Sequence, residues 1–138
     1  MTLTMTKREP GKQSSGARSQ LPARSAADLS AMVEAMSVMA VLGHKKITAQ
    51  QMLFFFAVAH ADAMGQSVNI ASVMATYAPL GRSVEKTVVN FLEPTDRFPD
   101  ALGWIKQIED PDDRRVRHLH LTEKGVDVVG AIVDALRG

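Results

Sequence analysis

No cysteine occurs among the 138 residues, which excludes disulfides, thiolate zinc sites, cysteine nucleophiles and thiol-based redox sensing. No apolar run approaches the ~20 residues that span a bilayer. The longest, Met52 to Ala59, is far too short, and the N-terminus lacks the apolar core of a signal peptide. A cytoplasmic protein with no membrane partner is therefore expected. Internal repeats, a nucleophile elbow and a phosphate-binding glycine loop are missing as well. His118 and His120 share a strand face with no third ligand at suggestive spacing, and Asp112 and Asp113 stand adjacent on a turn rather than across a cleft. Metal binding and paired-carboxylate catalysis are thus unsupported, and no enzyme, cofactor or metal is expected.

What is present is a globular composition, 46% apolar and 22% charged, of a size that suits one domain. The net charge of +1 hides an asymmetry. Lys7, Arg8, Lys12, Arg18 and Arg24 against Glu9 give residues 1–24 a charge of +4, which leaves −3 on residues 25–138. The basic tail is rich in Ser, Gln, Gly and Pro and is expected to be disordered.

Ser25 with Asp28 suggests a capping-box-like start to an amphipathic helix carrying Leu29, Met32, Val33, Met36 and Met39 and ending near Gly43. Thr48 with Gln51 makes a second box, with Ile47 and Met52 as a hydrophobic staple, so a helix is predicted over 49–63 with Gly65 as its C-cap. Leu53, Phe54, Phe55 and Phe56 make that helix apolar nearly all round, which marks it as the buried centre. A short helix from about Asn69 to Ala78 follows, then the turn APLGRS, then a helix starting after Arg82 or Ser83 with Val84, Val88, Phe91 and Leu92 as its buried stripe. At about 100° per residue the opposite face carries Arg82, Lys86 and Asn90, with Ser83 and Thr87 towards its edges.

Two prolines interrupt the pattern, and Pro94 to Ala101 reads as an insertion. Trp104 to Ile108 and Val116 to Leu121 alternate as a hairpin around EDPDD, with Arg117, Leu119 and Leu121 on one face and Val116, His118 and His120 on the other. Thr122 caps a last helix with Val126, Val129, Val133 and Leu136 at steps of three and four. Helices, a helix-turn-helix over 69–92, a charged hairpin over 104–121 and a following helix make the expected fold mainly α with a small β-hairpin, an α+β winged helix-turn-helix domain over 25–138. The hairpin is then a wing. Arg114, Arg115 and Arg117 are candidates for the phosphate backbone and minor groove, and Asp113 is expected to pair with Arg115 and hold it outward.

DPDDRRVRHLHLTEKG resembles the wing of the MarR family of transcriptional regulators: Asp113-x-Arg115, an apolar strand, then Leu121-Thr122-x-x-Gly125 opening the next helix. ITAQQMLFFFAVA is similar to that family's helix before the helix-turn-helix. The resemblance covers residues 25–138. It implies a homodimer on a pseudo-palindromic operator in double-stranded DNA, most simply a repressor, with Arg115 at the minor groove and Arg82, Ser83, Lys86, Thr87 and Asn90 on the reading helix. It also implies a small-molecule effector in a pocket between dimer region and DNA-binding lobe, for which Phe54, Phe55, Phe56 and Tyr77 are available, although core packing explains them better. The chain ends 16 residues after Thr122, short of that family's extra dimerisation helix. The helices at 25–43 and 122–138 are therefore expected to pair between subunits. A winged-helix protein-interaction module, favoured by the acidic body, and a plasmid or phage replication initiator are alternative readings.

Overall fold

The computed structural model describes residues 21–43 and 47–138, without the side chain of Ser83. Most of the expected disordered tail, residues 1–20, lies outside the described residues. By its internal contacts the chain divides into two units, Met1–Ser30 and Ala31–Gly138. In the first, a turn leads into α1 (Ser25–Leu42). The amides of Ser25 and Ala26 bond to the carbonyls of Pro22 and Ala23 at 2.9 and 3.0 Å. Ser25 is itself helical, so a preceding turn replaces the expected Ser25–Asp28 box.

The second unit holds the rest of α1, from Ala31 onward, and every other element. In α1, Ala35 and Met39 are buried, while Met32, Val33, Met36 and Val41 stay exposed. By length and composition alone α1 could cross a membrane, a property that a search for unbroken apolar runs passes over. Two carboxylates, Asp28 and Glu34, lie inside that window, and an aspartate costs about 2.5–3.5 kcal/mol at a bilayer centre. α2 (Ala49–Ala63) starts at the expected box: the Thr48 amide donates to Gln51 Oε1 at 3.0 Å and the Gln51 amide to Thr48 Oγ1 at 3.1 Å. It ends where Gly65, at φ 71°, lets the amide of Gln66 turn back to the Ala61 carbonyl at 2.8 Å.

α3 (Ile70–Thr76), α4 (Arg82–Thr87), β1 (Ile105–Glu109), β2 (Arg117–Leu121) and α5 (Glu123–Arg137) follow. β1 and β2 pair antiparallel with Ile105 opposite Leu121, Gln107 opposite Leu119 and Glu109 opposite Arg117. Val68, just before α3, adds an isolated bridge to Leu119, whose amide reaches the Val68 carbonyl at 2.8 Å.

Phe54, Phe55 and Val58 of α2 are fully buried with Phe91, Trp104, Ile105 and Leu119. The Phe55 ring lies 4.9 Å from Trp104 and 5.7 Å from Phe91, centroid to centroid, within the range in which aromatic pairs add to simple area burial. These rings are core. Tyr77 is partly buried against the same cluster, and Phe56 is the partly exposed member of the run.

The expected insertion is a closed excursion. The amides of Leu102, Gly103 and Trp104 bond to the carbonyls of Asn90, Leu92 and Phe91 at 2.8, 2.9 and 2.8 Å, so the chain leaves after Leu92 and returns to the same place. Trp104 therefore begins the wing against the end of the helix-turn-helix, whatever the intervening loop does.

The Leu-Thr-x-x-Gly run acquires a physical reason here. Thr122 Oγ1 accepts the Gly125 amide at 3.0 Å, capping α5, and donates to the Gly103 carbonyl at 2.6 Å. The Thr122 amide bonds to the Trp104 carbonyl at 3.0 Å. This draws α5 so close that a Cβ built at Gly125 would run into the Trp104 carbonyl, whereas one at Gly130 meets nothing within 4 Å. The same substitution should thus have opposite signs at two places in one helix. Gly125→Ala is expected to destabilise by about 1–3 kcal/mol through backbone overpacking, and Gly130→Ala to stabilise by up to about 1 kcal/mol. Urea unfolding midpoints measure both.

Candidate nucleic-acid interface

α3 starts at a capping box that the sequence reading passed over: the Asn69 amide donates to Ser72 Oγ at 3.0 Å and the Ser72 amide to Asn69 Oδ1 at 2.8 Å. Asn-x-x-Ser carries the same local signal as Thr-x-x-Gln. Residues 77–81 then turn, with the Leu80 amide on the Tyr77 carbonyl at 3.0 Å and Leu80 buried. Gly81 caps α4 without a side chain, and its amide reaches Gln50 Oε1 at 3.4 Å. That contact ties the start of α4 to α2.

On α4 the outward residues are Arg82, Glu85 and Lys86. Val84 and Val88 face the core as expected. Thr87 is half-buried, and its hydroxyl donates to the Val84 carbonyl at 2.8 Å. Asn90 is displaced from the expected face. The α-helix stops at Thr87 and Val88–Phe91 form a 3-10 turn, which advances about 120° per residue instead of about 100°. Asn90 rotates towards the core, is half-buried, and offers its carbonyl to Leu102. Arg82 and Lys86 thus stand together, whereas Thr87 and Asn90 are withdrawn. Ser83's side chain lies outside the described atoms, and Glu85 belongs to the exposed set although counting basic and amide residue types overlooked it.

The acids of the wing tip build its shape. Asp110 Oδ1 accepts the amides of Asp112 and Asp113 at 2.7 and 3.2 Å, forming the turn, and its Oδ2 lies 2.8 Å from His118 Nε2. Asp113 takes the Arg115 amide at 3.0 Å and grips the guanidinium twice, Nε to Oδ1 at 3.1 Å and Nη2 to Oδ2 at 3.3 Å. The pairing of Asp113 with Arg115 is as expected, and the arginine side chain remains 91% exposed. Arg114 and Arg117 are exposed beside it.

At its base the wing is fastened to α2 by a residue the sequence did not single out. Asp62 Oδ1 lies 2.8 Å from His120 Nδ1, and Asp62 Oδ2 accepts the Leu121 amide at 2.9 Å. His118 and His120 therefore serve two different aspartates on different elements. Among the described residues no group of three or more His, Asp or Glu is placed to hold a metal ion.

The wing and α4 border one cleft of about 490 Å³, lined by Asn69 and Ile70 at the start of α3, Glu85 of α4, and Gln107, Arg115 and Arg117 of the wing. Of the outward residues of α4, Glu85 lines this cleft beside Arg115 and Arg117 of the hairpin, and Arg82 and Lys86 lie outside its lining.

His118 and the Asp112 amide hold the Asp110 carboxyl below the ordinary aspartate range, and Arg115 does the same for Asp113. A depressed carboxyl keeps its contribution above the unfolded-state pKa and loses it as pH falls through the folded value. Both contacts should hold at neutral pH and open only in acid. Carbon-detected NMR titration should place both midpoints below ordinary aspartate, and Arg115→Ala should return Asp113 towards that range while leaving Asp110 low.

Models of known protein families and curated proteins gave no match to this chain. Among solved structures, it is similar to transcriptional regulator Tm0710 from Thermotoga maritima, with 20% identity and a TM-score of 0.55 over 78% of this chain and 65% of that one. A probable transcriptional regulator from Pseudomonas aeruginosa aligns at 20% identity and a TM-score of 0.49, over 78% and 71% of the respective chains. The chain thus spans somewhat under two thirds of the Thermotoga protein's length. With five α-helices and an antiparallel hairpin in this order among the described residues, the fold is α+β, a winged helix-turn-helix.

Proposed function

We propose that the protein is a sequence-specific DNA-binding transcriptional regulator of the MarR type, acting as a homodimeric repressor on a pseudo-palindromic operator. One observation carries this reading: Arg115 is held outward by Asp113 on a wing whose arginines share a cleft with Glu85 of α4. α4 presents Arg82 and Lys86 to a major groove, while Arg114, Arg115 and Arg117 reach the flanking backbone and the minor groove, where negative potential favours arginine. The fold of the Thermotoga regulator and the wing run from Asp113 to Gly125 support the same assignment. Small-molecule control in the manner of that family is part of the proposal.

The second subunit is proposed to cover the apolar residues left bare on α1, namely Met32, Val33, Met36 and Val41, with Val126 and Leu136 of α5. Exposed methionine and valine in such density has a dispersion and hydration cost that a partner helix removes. The acidic body of residues 25–138 favours a second reading, a winged-helix module that binds protein.

Selection from a randomised DNA library should enrich a palindrome. Arg115→Ala should weaken binding to all sequences alike and flatten the slope of log affinity against log salt by about one unit. An unchanged slope and affinity would remove the wing from the interface, and absence of any salt-dependent DNA binding would favour the protein-binding module. Sedimentation at micromolar concentration should show a dimer, which Met36→Glu, a change at an exposed site, should convert to monomer without lowering helix content.

A further inference from the structure

We infer that Glu85 is a specificity-determining residue that selects a cytosine in the major groove, an inference that rests on the DNA-binding reading above. Glu85 is exposed on α4 between Arg82 and Lys86 and lines the cleft that Arg115 and Arg117 border from the wing. Its carboxylate nevertheless makes no hydrogen bond or ion pair among the described residues, and the Arg115 guanidinium is gripped by Asp113 instead. A free carboxylate therefore faces the surface on which a duplex would lie.

Such a group can only accept. Towards phosphate it is repulsive, so it lowers affinity for DNA in general and gains only where a base offers a donor. In the major groove guanine presents acceptors, thymine an acceptor and a methyl group, and adenine sets its amino donor beside the N7 acceptor; cytosine presents its N4 amino group alone. A carboxylate is therefore best satisfied by cytosine and penalises guanine and thymine at the same position, so the discrimination comes as much from repulsion as from attraction. The surrounding arginines supply the sequence-independent attraction that this residue partly gives back. A carboxylate in the first turn of a helix also favours the positive end of the helix, but that effect would alter stability and leave base preference unmoved.

The test runs library selection and salt-dependent anisotropy on the full chain, wild type beside Glu85→Gln and Glu85→Ala, with unfolding midpoints measured in parallel. The wild type should enrich a motif with cytosine at one defined position. Glu85→Gln, near in shape and neutral, should reduce that preference by about ten- to a hundredfold and bind unrelated DNA several-fold more tightly than the wild type. A wild-type motif whose cytosine keeps its weight in both variants overturns the inference and leaves the DNA-binding reading standing. A wild type that enriches no motif overturns both.

Discussion

The relation between the wing and α4 depends on how Trp104 is held. Its amide bonds to the Phe91 carbonyl at the end of the helix-turn-helix, and its carbonyl receives the Thr122 amide at the start of α5. Its ring packs on Phe55 and Phe91, and its carbonyl is so near Gly125 that no side chain fits there. The indole N–H meets no acceptor among the described residues, so shape and not hydrogen bonding fixes the ring. Three elements distant in sequence are thereby locked at one residue. The Asp62 clamp on His120 and Leu121 repeats the lock on the other strand, so both strands of the hairpin are fastened at their roots while the tip projects.

At that tip, charge serves geometry more than stability. Exposed ion pairs contribute only about 0–1 kcal/mol, and the pair between Asp113 and Arg115 is of that kind. Its effect is to remove rotamer freedom from a long exposed side chain. Asp110 acts earlier, folding the turn by accepting two successive amides. Asp110 and Asp113 are thus the scaffold that shapes the tip and holds Arg115 outward. Glu85 differs in that its carboxylate makes no ion pair among the described residues.

What could be read from the sequence was what is local. The Thr48–Gln51 box, the Gly65 cap, the stripe of Val84, Val88 and Phe91 and the hairpin with its Asp113–Arg115 pair all involve residues within a turn or two of one another, where spacing determines geometry. The failures are contacts without a short-range signature. Asp62 meets His120 across 58 positions, and no periodicity announces it. Asn90 was misplaced because a constant angular step was carried past Thr87, where the chain tightens to make the neck with Leu102. Residue type alone does not single out Glu85, whose exposure beside Arg82 and Lys86 only the fold reveals. Two prolines marked the excursion after Leu92, but its closure rests on bonds between strangers in sequence.

The excursion between Leu92 and Leu102 has an evolutionary corollary. With both ends stapled to each other by main-chain bonds, its length is nearly a free variable: doubling a flexible loop raises the closure entropy by only about 0.6 kcal/mol. Lineages can lengthen, shorten or rewrite this segment while the hairpin keeps its place against α4, so divergence should accumulate there first, and a new loop could be grafted there without disturbing the packing around Trp104.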